Sequence, residues 1–267
     1  MADRAPAVAG LFYPDDPREL DAAVDTLLGP SRGDEHARAI VVPHAGYVYS
    51  GAVAASVYRR VHVPDVVVVL CPNHTGEGAR AAVVTHGRFL VPGHALPIEE
   101  HFAEELREHA LLTEDDRAHR REHALEVHLP FLVARNPKVH IVPICLGPQS
   151  FEACTRIGTA IADVIRQHGG DVLVVASTDM SHYVPADVAK AQDEKALERI
   201  EAMDARGLYD VVEREDISMC GYVPTTVTLV AAAALGADHG ELVQYGNSGA
   251  TSGDFQRVVG YAGLVLE

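Results

Sequence analysis

The feature that most constrains this chain is a recurring short apolar run, each closed by turn-forming residues. Such runs stand at Ala39 to Val42, Val66 to Cys71, Ala81 to Thr85, Val139 to Leu146 and Val172 to Ala176. Apolar runs without polar alternation fit strands buried on both faces, as in a parallel sheet covered by helices. Amphipathic stretches separate them, at Gly51 to Arg60, Ile98 to His109, Phe151 to His168, Ala186 to Met203 and Thr225 to Leu235. That alternation predicts a mostly parallel sheet with helices packed against it. An earlier helix is signalled by Asp16 as cap, Pro17 at the first position and Glu19 closing a capping box, with Gly29 and Pro30 ending it. At the other end, Glu241 to Tyr245 and Arg257 to Leu266, joined by Gly246 to Gly253, predict a closing antiparallel pair. No internal repeat or linker divides the chain, so residues 1–267 are expected to form one α/β domain.

Composition narrows the partners. The 267 residues carry a formal net charge of −16 and no Lys/Arg run, which argues against nucleic acid and anionic membrane and favours a small-molecule or peptide ligand. Nothing approaches the roughly 18 consecutive apolar residues of a membrane span, and the residues after Met1 do not resemble a signal peptide. The four cysteines, Cys71, Cys145, Cys154 and Cys220, lie far apart with no CxxC pair, so reduced thiols in a cytoplasmic protein are expected. Dinucleotide, nucleotide-triphosphate and hydrolase-elbow motifs are lacking as well.

The polar residues collect where ligands bind in open α/β sheets, just beyond the carboxyl ends of strands. Three apolar runs each deliver a histidine into the following loop: His44 after Pro43, His74 after Asn73, and His182 shortly after Asp179. For any one of them a loop histidine bonded to backbone is the plain alternative. Three together point to convergence on a metal, because neutral imidazole is the commonest metal ligand. Asp179 can bind a metal, orient a histidine or cap the next turn. Glu122, His123, Glu126 and His128 form a second constellation, in which a helix would place His123 and Glu126 on one face. The spacing is not HExxH, which removes the zinc-protease reading. Cys220 precedes a helix whose first position Pro224 is expected to occupy, and a thiol at a helix amino end has a lowered pKa. A buried structural cysteine is its plain alternative, and the reading adopted for Cys71, Cys145 and Cys154.

At these residues the chain resembles the Memo family, whose prokaryotic branch is called AmmeMemoRadiSam system protein B. The landmarks are Arg4 to Pro14, Pro43 to Gly51, Pro72 to Gly76, Glu122 to Phe131, Ser177 to Tyr183 and Met219 to Tyr222. Six ordered motifs span nearly the whole chain. The resemblance implies a three-layer α/β fold like that of the class III extradiol, or LigB-like, dioxygenases, which cleave catechol rings at iron held by two histidines and a carboxylate. It implies His44, His74 and Cys220 as metal ligands, with Fe(II) or Cu, and Zn as a further option. His182 would correspond to the dioxygenases' acid/base, accompanied by Asp179. His123, Glu126, Tyr47 and Asn73 are expected around the pocket. Cys220 stands where a carboxylate would complete the facial triad, which speaks against ring cleavage itself, and Cys71 stands before Pro72 where glycine is expected. The implied activities are a metal-dependent oxidoreductase acting on a phenolic or similar substrate, or a non-catalytic peptide- or metal-binding module. The implied partners are an Ammecr-type protein and a radical-SAM protein.

Overall fold

A computed structural model describes residues 3–30 and 32–267. In chain order the strands are β1 (Ala39–Val42), β2 (Val66–Pro72), β3 (Ala81–Val83), β4 (Arg88–Val91), β5 (His94–Pro97), β6 (Thr113–Glu114), β7 (His140–Leu146), β8 (Val172–Ser177), β9 (His182–Val184), β10 (Gly240–Asn247) and β11 (Val258–Leu266). The helices are α1 (Pro17–Leu28), α2 (Tyr47–Tyr58), α3 (Glu100–His109), α4 (Arg117–Arg120), α5 (Leu129–Arg135), α6 (Phe151–His168), α7 (Ala186–Glu201), α8 (Ala205–Glu215), α9 (Tyr222–Ala234) and α10 (Gly249–Ser252). A 3-10 turn, Glu126–His128, leads into α5.

The apolar runs form the middle of one mixed sheet in the order β10-β11-β1-β8-β2-β7-β3-β6, with β9 added against β11. β1, β8, β2 and β7 are mutually parallel; β11, β10 and β3 run antiparallel to their inner neighbours. Every residue of β1, β2 and β8 is buried. A polar side chain on either face of these strands would lose its water without a partner, so only unbroken apolar runs can occupy the centre. Gly260 and Gly263 on β11 show the two helix layers: a Cβ at Gly260 would strike Asp193 of α7, and one at Gly263 would strike Val57 of α2. Residues three apart on a strand face opposite ways. Helices α1, α2 and α5 pack together on one face, and α6, α7, α8 and α9 on the other. This is a single three-layer α/β domain.

The helix starts follow from local chemistry. Asp16 Oδ1 accepts from the Arg18 and Glu19 amides at 2.9 and 3.0 Å, capping α1 ahead of Pro17. Two helix starts differ from the sequence reading by three residues or more. α9 begins at Tyr222, which puts Pro224 third rather than first, and α2 begins at Tyr47 rather than Gly51. The β4-β5 hairpin, α8 and β9 have no counterpart in the sequence reading, because their apolar residues are too few to stand out; α8 buries only Leu208, Val211 and Val212. Among the described residues no helix is long and apolar enough to cross a membrane.

The strand order also positions the site. β8 lies between β1 and β2, so the loops after Val42, Pro72 and Ser177 leave the same edge of the sheet side by side.

Candidate metal centre

His44, His74 and Cys220 each present a ligand atom within 4.8 Å of the others. The protonation imposed from behind suits them to hold a metal. Ser177 Oγ donates its only proton to the Ala124 carbonyl at 2.6 Å. It therefore accepts from His44 Nδ1 at 2.7 Å and from His128 Nε2 at 2.8 Å. His44 is thereby held as the Nδ1–H tautomer, with the lone pair of Nε2 turned to the Cys220 sulfur 3.3 Å away. His74 is fixed by a carboxylate. Glu122 accepts from His74 Nδ1 at 2.9 Å and from its backbone amide at 2.6 Å. Burial alone would raise the Glu122 carboxyl, but the His74 contact and the Ala124 amide hold it below its ordinary value, so it stays an acceptor and leaves His74 Nε2 free. Sequence reasoning assigns neither Ser177 nor Glu122 this place behind the ligands. Their signals are a hydroxyl ending an apolar run, and an acid directly before a histidine.

Burial dominates the electrostatics. It pushes the His44 imidazole well below its ordinary pKa, with the neighbouring histidines adding to the effect, so the ring is neutral and able to bind a cation. Cys220 corrects an expectation. Its position at the amino end of α9 suggests a lowered pKa, yet burial, followed by the Asp179 carboxylate, pushes the thiol well above its ordinary range. Desolvation outweighs the helix dipole here. Such a thiol becomes a thiolate ligand only as a metal displaces its proton.

Above these residues lies a cavity of about 440 Å³ whose wall includes His44, His74, His123, Asp179 and His182. His182 donates from Nδ1 to the Ser218 carbonyl at 2.7 Å, and its amide donates to Ser218 Oγ at 2.7 Å. Nε2 is thus left as a lone pair at the cavity wall. Asp179 is 4 % exposed, accepts from the His44 amide at 2.8 Å, and burial raises its carboxyl to about 6. The rim is apolar and open: Leu11, Val48 and Tyr183 are 81, 70 and 65 % exposed. Tyr183 holds φ at 59°, a left-handed backbone that a bulky residue adopts only when its surroundings impose it.

The second constellation divides. His123 lines the cavity and stacks on His74 with ring centroids 4.8 Å apart. Glu126 does not reach the cavity. It is fully buried and accepts from Arg4, Tyr13 and the Ala7 and Val8 amides, tying the amino-terminal segment to the domain. The cause is the 3-10 turn over Glu126–His128, which replaces the helix assumed in placing His123 and Glu126 on one face. Tyr47 is also turned inward: its hydroxyl donates to the Val127 carbonyl at 2.8 Å and its ring packs on Tyr13 and Phe131. Asn73 shapes the loop instead of the cavity. Its Oδ1 accepts from Thr75 Oγ1 and the Gly76 amide, both at 2.9 Å, and its Nδ2 donates to the Glu77 carbonyl at 2.8 Å.

A family model described as Memo-like protein matches residues 4–265. The chain is 41% identical to a MEMO1 family protein of Methanopyrus kandleri over 279 aligned positions, covering 99% of each chain. It is 40% identical to a MEMO1 family protein of Aquifex aeolicus, covering 100% of both. A crystal structure of an uncharacterized Escherichia coli K12 protein superposes with a TM-score of 0.58 at 13% identity, covering 85% of this chain and 98% of that one, which speaks to the fold alone. With the family match running from the Arg4 that Glu126 anchors to Val265 in the last strand, the chain belongs to the Memo family.

Proposed function

We propose that this protein is a metal-dependent oxidoreductase in which His44, His74 and Cys220 hold iron or copper and a small phenolic or similar substrate occupies the cavity above them. The observation that carries this reading is the hydrogen-bond network behind the two imidazoles, which leaves a lone pair on each Nε2 beside a thiol. Two imidazoles and a thiolate suit Cu(I), Zn or thiolate-ligated iron better than hard ions such as Mg²⁺. When bound, iron or copper supplies Lewis acidity toward a substrate hydroxyl and redox chemistry with dioxygen.

The chain's own residues do the rest. His182, free at Nε2, takes the proton of the substrate hydroxyl, and the Ser218 carbonyl holds the ring in the tautomer that can accept it. Asp179 shares the cavity wall with His182. Leu11, Val48 and Tyr49 offer apolar surface for a ring. The same exposed rim favours a second reading, a binding module for an apolar peptide segment, which would need neither turnover nor a proton acceptor at His182.

Oxygen uptake decides between them. Protein loaded anaerobically with Fe(II) or Cu(I) is exposed to oxygen with a panel of phenols, alongside His182→Ala. Metal-dependent uptake that His182→Ala abolishes while keeping its metal is the expected result. Bound metal without uptake on any phenol would sink the oxidoreductase reading and favour the binding module.

A further inference from the structure

The opposite pole of the sheet, where β1, β2 and β8 begin, carries a second convergence of ligand-type side chains. Asp34 and His36 precede β1, His62 precedes β2, and Asp171 directly precedes β8. Because β8 lies between β1 and β2, these turns adjoin at this pole just as the histidine loops adjoin at the other. Asp34, His36 and His62 each offer a ligand atom within 4.8 Å of the others. His62 Nδ1 is 2.7 Å from Asp34 Oδ1, His36 Nδ1 is 3.0 Å from Asp171 Oδ2, and His62 Nε2 is 3.8 Å from that same oxygen. The two imidazoles stack with centroids 4.5 Å apart. Ligand atoms about 2.1 Å from a tetrahedral ion stand about 3.4 Å from one another. Asp34, His36 and His62 gather within 4.8 Å, so small side-chain rotations bring their donors to that spacing, while Asp171 Oδ2 accepts from His36 Nδ1 behind them.

The turns are held in place before any ion arrives. The Gly33 amide donates to the Arg59 carbonyl at 2.6 Å, Glu35 to Arg60 at 3.2 Å, and His62 back to Glu35 at 2.7 Å, so the segments carrying His36 and His62 are zipped together by backbone bonds. A Cβ at Gly33 would stand 2.5 Å from the Arg60 carbonyl oxygen, so this approach requires glycine. Charge is also suited: one carboxylate and two imidazoles make the donor set, and the Asp171 carboxylate behind His36 adds a second negative charge beside a dication. Arg135, at the edge of the cluster, donates instead to the Gly33 and Val61 carbonyls at 2.6 and 2.8 Å.

We propose that Asp34, His36 and His62 form a second metal site, for a divalent ion of the Zn²⁺, Ni²⁺ or Cu²⁺ kind, that staples the turns leading into β1 and β2, with Asp171 accepting from His36 Nδ1 behind it. Mixed imidazole and carboxylate ligation favours these ions over Ca²⁺ and Mg²⁺, which take oxygen ligands. The site is independent of the centre at the other pole and stabilises the fold by binding only its folded arrangement.

The test is titration calorimetry of the full-length, untagged chain with Zn²⁺. The background is His74→Ala/Cys220→Ser, which takes a ligand from both groups at the carboxyl pole that share His74. The expected result is two equivalents in the wild type and one in the double variant. Adding His36→Ala or His62→Ala should weaken the remaining equivalent by roughly a hundredfold or more, the upper end of what removing a mere supporting residue costs. Zn²⁺ should raise the Tm of the double variant but not of these triple variants. Asp34→Asn serves where a histidine variant fails to fold. If the double variant binds no Zn²⁺, or its remaining equivalent is unaffected by His36→Ala and His62→Ala, the second site does not exist.

Discussion

Ser177 and Glu122 decide which nitrogen of His44 and of His74 is free, so the proposed centre would depend on residues that never touch its metal. Ser177→Ala strands His44 Nδ1 and His128 Nε2 in a buried space. It is expected to cost about 2 kcal/mol in urea unfolding and to weaken metal binding roughly tenfold to a hundredfold in chelator competition. Glu122→Gln keeps the shape but loses the charge behind His74, and a similar loss of affinity is expected. Cys220 tests the ligand set directly. Serine is nearly isosteric but a poor donor to soft metals, so Cys220→Ser should lose Cu(I) or Zn²⁺ with little change in Tm. Cys220→Asp would place a carboxylate with two histidines and should favour Fe(II) over Cu(I). Equal metal content in wild type and both variants would remove the thiolate from the centre.

Among the elements, the amino end of α9 and the segment before α1 bear most on the site. The Gly221 amide donates to Thr178 Oγ1 at 3.0 Å, and a Cβ there would collide with the Ser177 carbonyl oxygen and Thr178 Cβ. Cys220 can stand over His44 only because its neighbour has no side chain. Gly221→Ala should cost about 1–3 kcal/mol and weaken metal binding by moving the sulfur, read together from thermal melts and chelator competition. The other element is pinned by the buried pair of Arg4 and Glu126. Glu126→Ala leaves the guanidinium buried without its partner, an expected loss of about 3–5 kcal/mol. The same segment carries Leu11 and Phe12 to the cavity wall. Limited proteolysis should therefore cut near the amino terminus in Glu126→Ala and not in the wild type; equal resistance would mean that this pair does not anchor it.

For the molecule as a whole, buried imidazoles set the response to acid. Burial holds His44 well below its ordinary pKa, His119 down at about 4 and His128 at about 3. Each is neutral in the fold and takes up a proton on unfolding below about pH 6.5. Their contribution is complete above that value and is lost as the pH falls toward the folded pKa. Asp179, raised by burial to about 6, and Asp193, also raised by burial, work the other way, because there the native state binds the proton first. Among the buried groups four lowered imidazoles, with His123 the fourth, oppose two raised carboxyls, so stability should fall by roughly 1–3 kcal/mol per pH unit between about pH 6 and 5. Guanidinium unfolding at a series of pH values checks this, and a flat or rising profile would contradict the neutral burial of these rings.

The chain's local chemistry is readable in its sequence, and so are the residues that local chemistry controls. Unbroken apolar runs such as Ala39 to Val42 can only be central strands, and a histidine directly after such a run, as at His44 and His74, has to emerge at a carboxyl end. Helix phase is less secure: a 3-10 turn of three residues sends Glu126 inward to Arg4 and leaves Glu122 behind His74. The sign of the Cys220 shift escapes a sequence reading because a helix amino end is visible in sequence while the burial that outweighs it is not. The order of the strands belongs to the tertiary structure alone. Nothing between residues 42 and 172 says that β8 will slip between β1 and β2; the need to bury both faces of every central strand under helices decides it. That one placement brings His44, His74 and Asp179 together at one pole and His36, His62 and Asp171 at the other, because side chains far apart along the chain meet only where the sheet makes their strands neighbours.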